Sequence, residues 1–181
     1  MVILLAACVH EPLVAEAPDI DGADLLWFDL EGRDRIDLIE SCQETCPRDE
    51  LDRPVASLTT WAVDWTWVRG TADTGTCAVL EPTVVVDVTV TLPRWQPPSD
   101  ADPALVEEWR TYHASLRRHE EGHVDLVHAL ADGTSTAIQL AGCDRAHQAG
   151  AELLDDLRSA QRRYDQVTQN GRTQGASFWG M

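Results

Sequence analysis

Two stretches of the chain alternate. Thr59, Trp61, Val63, Trp65 and Trp67 take turns with Thr60, Ala62, Asp64 and Thr66, and Val84, Val86, Val88, Val90 and Leu92 take turns with Val85, Asp87, Thr89 and Thr91. A period of two sends successive side chains to opposite faces, so both stretches are predicted as half-buried strands. The second is the clearest strand in the chain. Pro93 is expected to end it, and it is expected to lie at a sheet edge. Residues 69–76, with two glycines, read as a turn, and residues 77–80 as a short strand.

Past Pro97-Pro98-Ser99-Asp100 the period changes. Leu105, Trp109, Tyr112, Leu116, His119, His123, Val127 and Leu130 follow at steps of three or four, which is one apolar stripe of one helix. Asp102 and Pro103 are a good N-cap and first helical residue, with Glu107 and Glu108 close behind. Arg110, Arg117, Arg118, Glu121 and Asp125 are expected on solvated faces. The helix is expected to end or kink near Asp132-Gly133, with a further helical stretch to about Leu140. A last helix is predicted after Cys143-Asp144, with the stripe Leu153, Leu157, Ala160, Tyr164 and Val167 and a stop at Asn170-Gly171. Residues 25–55 are mixed: Ile36, Leu38 and Ile39 fit a short strand or a helical turn, and 42–54 reads as a loop. Strands come first and helices after, so the fold class is α+β.

Composition narrows the partners. The chain has 181 residues, 44% hydrophobic, enough for one domain with a real core. Thirty-one acidic residues against 14 basic leave a net charge of -17. Phosphate backbones need a basic surface, so nucleic acid is not expected as a partner. The seven tryptophans are read as core and sheet packing. No apolar run is long enough to span a membrane. Leu5-Ala6-Ala7-Cys8 resembles a lipoprotein processing box, although a charged n-region is missing and the apolar run is short. The expectation is a signal that begins upstream, with Cys8 as the lipidated residue and the only membrane contact. Residues 1–24 are then a truncated signal and acidic tether, and 25–181 the folded domain, in the periplasm or on the cell surface. Cys42, Cys46, Cys77 and Cys143 remain. An even count in an exported protein suggests two disulfides, and three pairings are possible. Cys77–Cys143, tying the sheet to the helical half, is favoured, with Cys42–Cys46 as a local loop. The rival, a structural zinc site, lacks a second clustered pair.

The candidate chemistry lies inside the helical stripe. His119-Glu120-Glu121-Gly122-His123 reads H-E-x-x-H. Residues i and i+4 share a helix face, so His119 and His123 can present imidazole nitrogen to one Zn²⁺. Glu120 lies about 100° round the helix, where it can act as a general base toward water. Gly122 is costly in a helix interior, by about 1 kcal/mol. It suggests close approach of another segment, a strand or a substrate.

The chain also resembles the predicted secreted bacterial zinc-dependent proteases, catalogued as a domain of unknown function. The resemblance runs from about Thr60 to Phe178. It rests on Trp61-Ala62-Val63-Asp64-Trp65, Leu92-Pro93-Arg94-Trp95, Trp109-Arg110-x-Tyr112, the H-E-x-x-H segment, and Tyr164-Asp165-x-x-Thr168-x-x-Gly171-x-x-Gln174-Gly175. It implies a small zincin-like fold: an antiparallel or mixed sheet, then the zinc helix and a C-terminal helix. It also implies a zinc ion and peptidase activity on a peptide or protein substrate. In the family pattern histidine usually precedes the Gly171 position, and here Asn170 stands there. Asp165 is the first choice for third ligand, with Asn170, Glu152 and His147 as alternatives, and Tyr164 is a candidate oxyanion donor. His10, His113 and His128 are read as surface or packing residues. The rival reading is a catalytically inactive zincin-like envelope lipoprotein that binds or supports other components.

Overall fold

The computed structural model describes residues 19–178. Cys8, His10 and the rest of residues 1–18 of the expected signal and tether lie outside them. The elements are β1 (Asp24–Leu30), α1 (Arg35–Thr45), β2 (Leu58–Thr71), β3 (Cys77–Trp95), α2 (Pro103–Ala141) and α3 (Ala146–Thr168), followed by a 3₁₀ turn (Arg172–Gln174). The three strands form one mixed sheet in the order β1-β3-β2, with β1 parallel and β2 antiparallel to β3. The class is α+β, as predicted.

The alternating stretches behave as their pattern requires. Val88, Val90 and Leu92 are buried, whereas Val85 on the other face is 54% exposed. Cross-strand pairs Trp61–Val88, Val63–Val86 and Trp65–Val84 line the inner face. Pro93 does not end β3, which continues to Trp95. Pairing with β2 has stopped at Thr91, so Pro93 sits where only β1 flanks the strand. The 77–80 and 84–92 segments are one strand, joined by an irregularity at which Glu81 and Pro82 face Trp67 alone. Glu81 there adopts φ 48°, a bulge conformation.

The sequence expectation of an edge position for 84–92 holds only for Val84–Val88, which pair with β2 alone. β3 is the central strand, because β1 adds along Thr89–Trp95. β1 itself was not legible: Leu25, Leu26, Trp27 and Phe28 run together without alternation, and its partner lies some sixty residues away in the chain. α1 is a helix rather than a strand, capped by Asp34, whose carboxylate accepts from the backbone of Ile36 and Asp37.

Helix α2 lies against the sheet, chiefly β3, and α3 folds back antiparallel upon it. Seven of the eight predicted stripe residues of α2 are buried, Leu130 being half-buried. The helix does not break at Asp132-Gly133. Ala131, Thr134 and Ile138 keep the buried stripe going, and tertiary packing outweighs the cost of one exposed glycine. Arg117 is not solvated: its side chain is 12% exposed, and it pairs with Glu121 and bonds the Asp19 carbonyl. In α3, Val167 is 64% exposed, and the inward line instead includes Leu157, Gln161 and Thr168. Both favoured disulfides are present, Cys42–Cys46 and Cys77–Cys143. The second spans 66 residues and stabilises by about 4 kcal/mol on a chain-entropy account. Two disulfides suit an oxidising, extracytoplasmic compartment. Among the described residues, no helix is long and apolar enough to cross a membrane.

His113 packs between Trp27 and Trp109, its ring 5.8 Å and 6.1 Å from theirs. Burial holds its pKa below the usual histidine value, its bond to the Pro93 carbonyl opposes that, and the Arg117 charge adds to the lowering. The unfolded chain therefore takes up this proton at higher pH than the native one. The stability His113 contributes is complete above about pH 6.5 and is lost as pH falls through its native pKa. Urea unfolding at pH 7.5 and pH 5 should show a smaller acid loss of stability for His113→Phe than for the wild type. Equal losses would show that His113 carries none of it.

Candidate metal centre

α2 delivers His119 and His123 to one side and Glu120 to the next, and all three are buried. α3 lies against them because the backbone at Gly122 admits it. A Cβ at that position would meet the Tyr164 hydroxyl at 2.1 Å, so any other residue would displace the Tyr164 ring from its place on the histidines. The close neighbour of Gly122 is therefore α3, not a strand. The Tyr164 ring lies flat on His119, with centroids 5.1 Å apart and 10° between planes, and edge-on to His123. One residue on, Asp165 projects its carboxylate at both histidines. Its Oδ1 is 3.0 Å from His123 Nε2 and 3.3 Å from His119 Nε2, and the two Nε2 atoms are 3.3 Å apart.

The other ring nitrogens are held by two glutamines. Gln161 Nε2 donates to the His123 carbonyl at 3.0 Å, which orients the amide so that its oxygen receives His123 Nδ1–H. The Gln174 oxygen lies 3.0 Å from His119 Nδ1, and its NH₂ donates to the Tyr164 hydroxyl at 3.0 Å. An amide oxygen only accepts, so each Nδ1 carries the hydrogen, and in the neutral imidazole each Nε2 keeps its lone pair. Two lone pairs and a carboxylate oxygen thus converge with no hydrogen of their own. A proton on one imidazole or a metal ion relieves such an arrangement. Three donors placed tetrahedrally around zinc at about 2.0–2.1 Å are separated by about 3.3 Å, so the observed triangle fits a metal ion. His119, His123 and Asp165 form a group that could hold one.

The same charges act on the titrations. Burial opposes protonation of His123, but the bonds from Asp165 and Gln161 and the field of Glu120 outweigh it and raise its pKa. Burial pushes Asp165 the other way, but its two histidine partners hold it far below the usual carboxylate range.

The remaining candidates separate clearly. Glu120 stands outside the donor triangle, and its two carboxylate oxygens accept from the hydroxyls of Ser57 and Thr59 at the start of β2. Tyr164 does not line the cleft; its hydroxyl holds Gln174. Asn170 borders the cleft with an exposed side chain, and its φ of 52° belongs to the left-handed end of α3. Glu152 is exposed and bonds Gln148, and His147 is exposed against Trp67, so neither reaches the centre. The four residues that sequence reasoning gave no role at the site are Gln161, Gln174, Ser57 and Thr59. Gln161 had one available signal: it precedes Asp165 by four and so shares its helix face.

The centre opens into a cleft of about 520 Å³, walled by the start of β2 on one side and the residues after α3 on the other. A larger hollow, about 840 Å³, lies beside α1 and the Asp29–Arg94 ion pair and contains no histidine or cysteine.

Fold and centre together define an α+β protein with a buried His-His-Asp group able to take a metal ion. The chain belongs to the family described as "Bacterial protein of unknown function (DUF922)", whose model matches residues 25–172 and so includes all three of these residues. Searches of curated proteins and of solved structures return no match.

Removing an outer partner of a metal-bound histidine commonly costs about 10- to 100-fold in metal affinity. Gln161→Leu and Gln174→Leu should each weaken zinc binding by that order in a competition titration against a chelator. Affinity unchanged in both would show that the glutamines only pack.

Proposed function

We propose that the protein is a zinc-dependent metallopeptidase of the bacterial cell envelope. The observation that carries this reading is the triangle of hydrogen-free donors, 3.0–3.3 Å on a side, with a buried carboxylate beside it but outside it. His119, His123 and Asp165 would hold the ion. A bound zinc supplies Lewis acidity, which makes water acidic enough to attack at neutral pH and polarises a carbonyl.

The chain's own groups do the rest. Glu120 is the general base: held by Ser57 and Thr59, it takes a proton from water at its carboxylate and returns it to the leaving amine. Gln161 and Gln174 keep both imidazoles in the tautomer that offers Nε2. Tyr164 works through Gln174 on His119, which supports a positioning role rather than the expected oxyanion role. β2 is an outer strand of the sheet and borders the cleft through Leu58, Thr59 and Trp61. An extended peptide adding to that edge would run past Glu120.

Two measurements test the reading. Purified protein dialysed at neutral pH should retain one zinc per chain, and His123→Ala should retain none; no zinc in the wild type would sink the proposal. On a mixed peptide library, Glu120→Gln should lower turnover by about 10²-fold or more, the scale of a lost general base. Equal cleavage by both would point to a contaminant. Zinc without any hydrolysis would leave a binding module, the rival reading.

A further inference from the structure

All the basic residues of this chain are arginine, in a molecule of net charge -17. Acidic side chains are abundant, and nearly every guanidinium has found a partner. Among the described residues, only the side chains of Arg118, Arg163 and Arg172 have no hydrogen-bond or ion-pair partner. Of these three only Arg172 borders the metal cleft. Arg53, the other cleft arginine, is committed to Asp49, with Nε 2.7 Å from its carboxylate.

The position of Arg172 is set by the backbone. α3 ends in three successive left-handed residues, Gln169, Asn170 and Gly171. Gly171 packs so closely on the first histidine that a Cβ there would lie 3.0 Å from His119 Cγ. Arg172 follows, its Cα about 3.8 Å along the chain. Backbone bonds from Arg172 to Gln169 and from Gln174 and Ala176 to Gly171 tie the turn down. The same short turn thus carries Gln174, which holds His119, and an exposed, uncommitted cation at the mouth of the cleft. The charge balance agrees. Asp49, Glu120 and Asp165 face Arg53 and Arg172 there. With a divalent ion the cleft is net positive by one, on an otherwise acidic protein.

We propose that Arg172 is an anion subsite of the cleft, which selects peptides that carry a carboxylate close to the reacting bond. The carboxylate is either an Asp or Glu side chain or the peptide's own C-terminus. A planar guanidinium matches either one. The substrate class rests on the peptidase reading, but the subsite is tested by binding alone.

The test uses zinc-loaded Glu120→Gln protein, which binds peptide without consuming it. Two sets of alanine-rich hexapeptides are titrated calorimetrically. One walks a single Glu, or its Gln twin, through the sequence; the other compares a free C-terminus with an amide. At one position or at the C-terminus, the carboxylate form should bind about tenfold more tightly than its neutral twin. Adding Arg172→Gln should bring that ratio to about one, and Arg172→Lys should restore part of it. Which set responds identifies the source of the carboxylate. No discrimination by the parent, an undiminished ratio in Arg172→Gln, or no binding of any hexapeptide would overturn the subsite. Wild-type turnover on the same peptides separates the two proposals. Discrimination without hydrolysis sinks the peptidase and leaves the subsite; hydrolysis without discrimination does the reverse.

Discussion

The distance at which α3 can lie on α2 governs the centre. At Gly122 there is no side chain to hold the helices apart, and Tyr164 settles its hydroxyl against the bare backbone. From that contact the rest follows by helical spacing. Asp165 is next in sequence to Tyr164, Gln161 is one turn before it, and the turn after the helix brings Gln174 to His119. A methyl group at position 122 would displace the Tyr164 ring, which stacks on His119 and accepts from Gln174. The helix bears the intrinsic cost of a glycine at its centre, about 1 kcal/mol, and gains the approach of a carboxylate to two imidazoles.

The arrangement so produced is unfavourable by itself. Two imidazole lone pairs and a carboxylate oxygen converge in a largely buried space, and the glutamines bar the tautomers that would relieve them with a hydrogen. Interiors avoid such juxtapositions unless a proton or a metal ion compensates. Local cost of this kind, imposed by several elements at once, is more typical of a working site than of a core. The hydroxyls of Ser57 and Thr59 complete the pattern: they hold Glu120 at the cleft but outside the donor triangle. The sheet, whose principal task is to support α2, thereby enters the site with its outer strand.

The site also explains where pattern reading failed. The stripe drawn through Leu153, Leu157, Ala160, Tyr164 and Val167 misplaces its end, because the inward positions near the centre are polar: Gln161 and Asp165. Hydrophobic periodicity cannot register a face that is buried in order to bind something charged. The continuity of α2 through Gly133 and the central place of β3 were hidden for a different reason. Both depend on neighbours distant in sequence, the buried stripe against which α2 packs and the parallel strand β1.

What the chain determines by itself is local. Alternation between 59 and 67 and between 84 and 92 specifies two strands, because a pleat has period two. The step of three or four from Leu105 onward specifies the long helix, and H-E-x-x-H specifies that two imidazoles share a face of it. The even cysteine count and favoured pairings were legible on the same terms. Tertiary structure alone decided among Asp165, Asn170, Glu152 and His147 as companion to those histidines, and recruited Gln161, Gln174, Ser57 and Thr59 around them. Helical and strand periods state which residues share a face, but not how closely or in what register two faces meet. Here the two helices meet with the Tyr164 side chain in the space above one glycine.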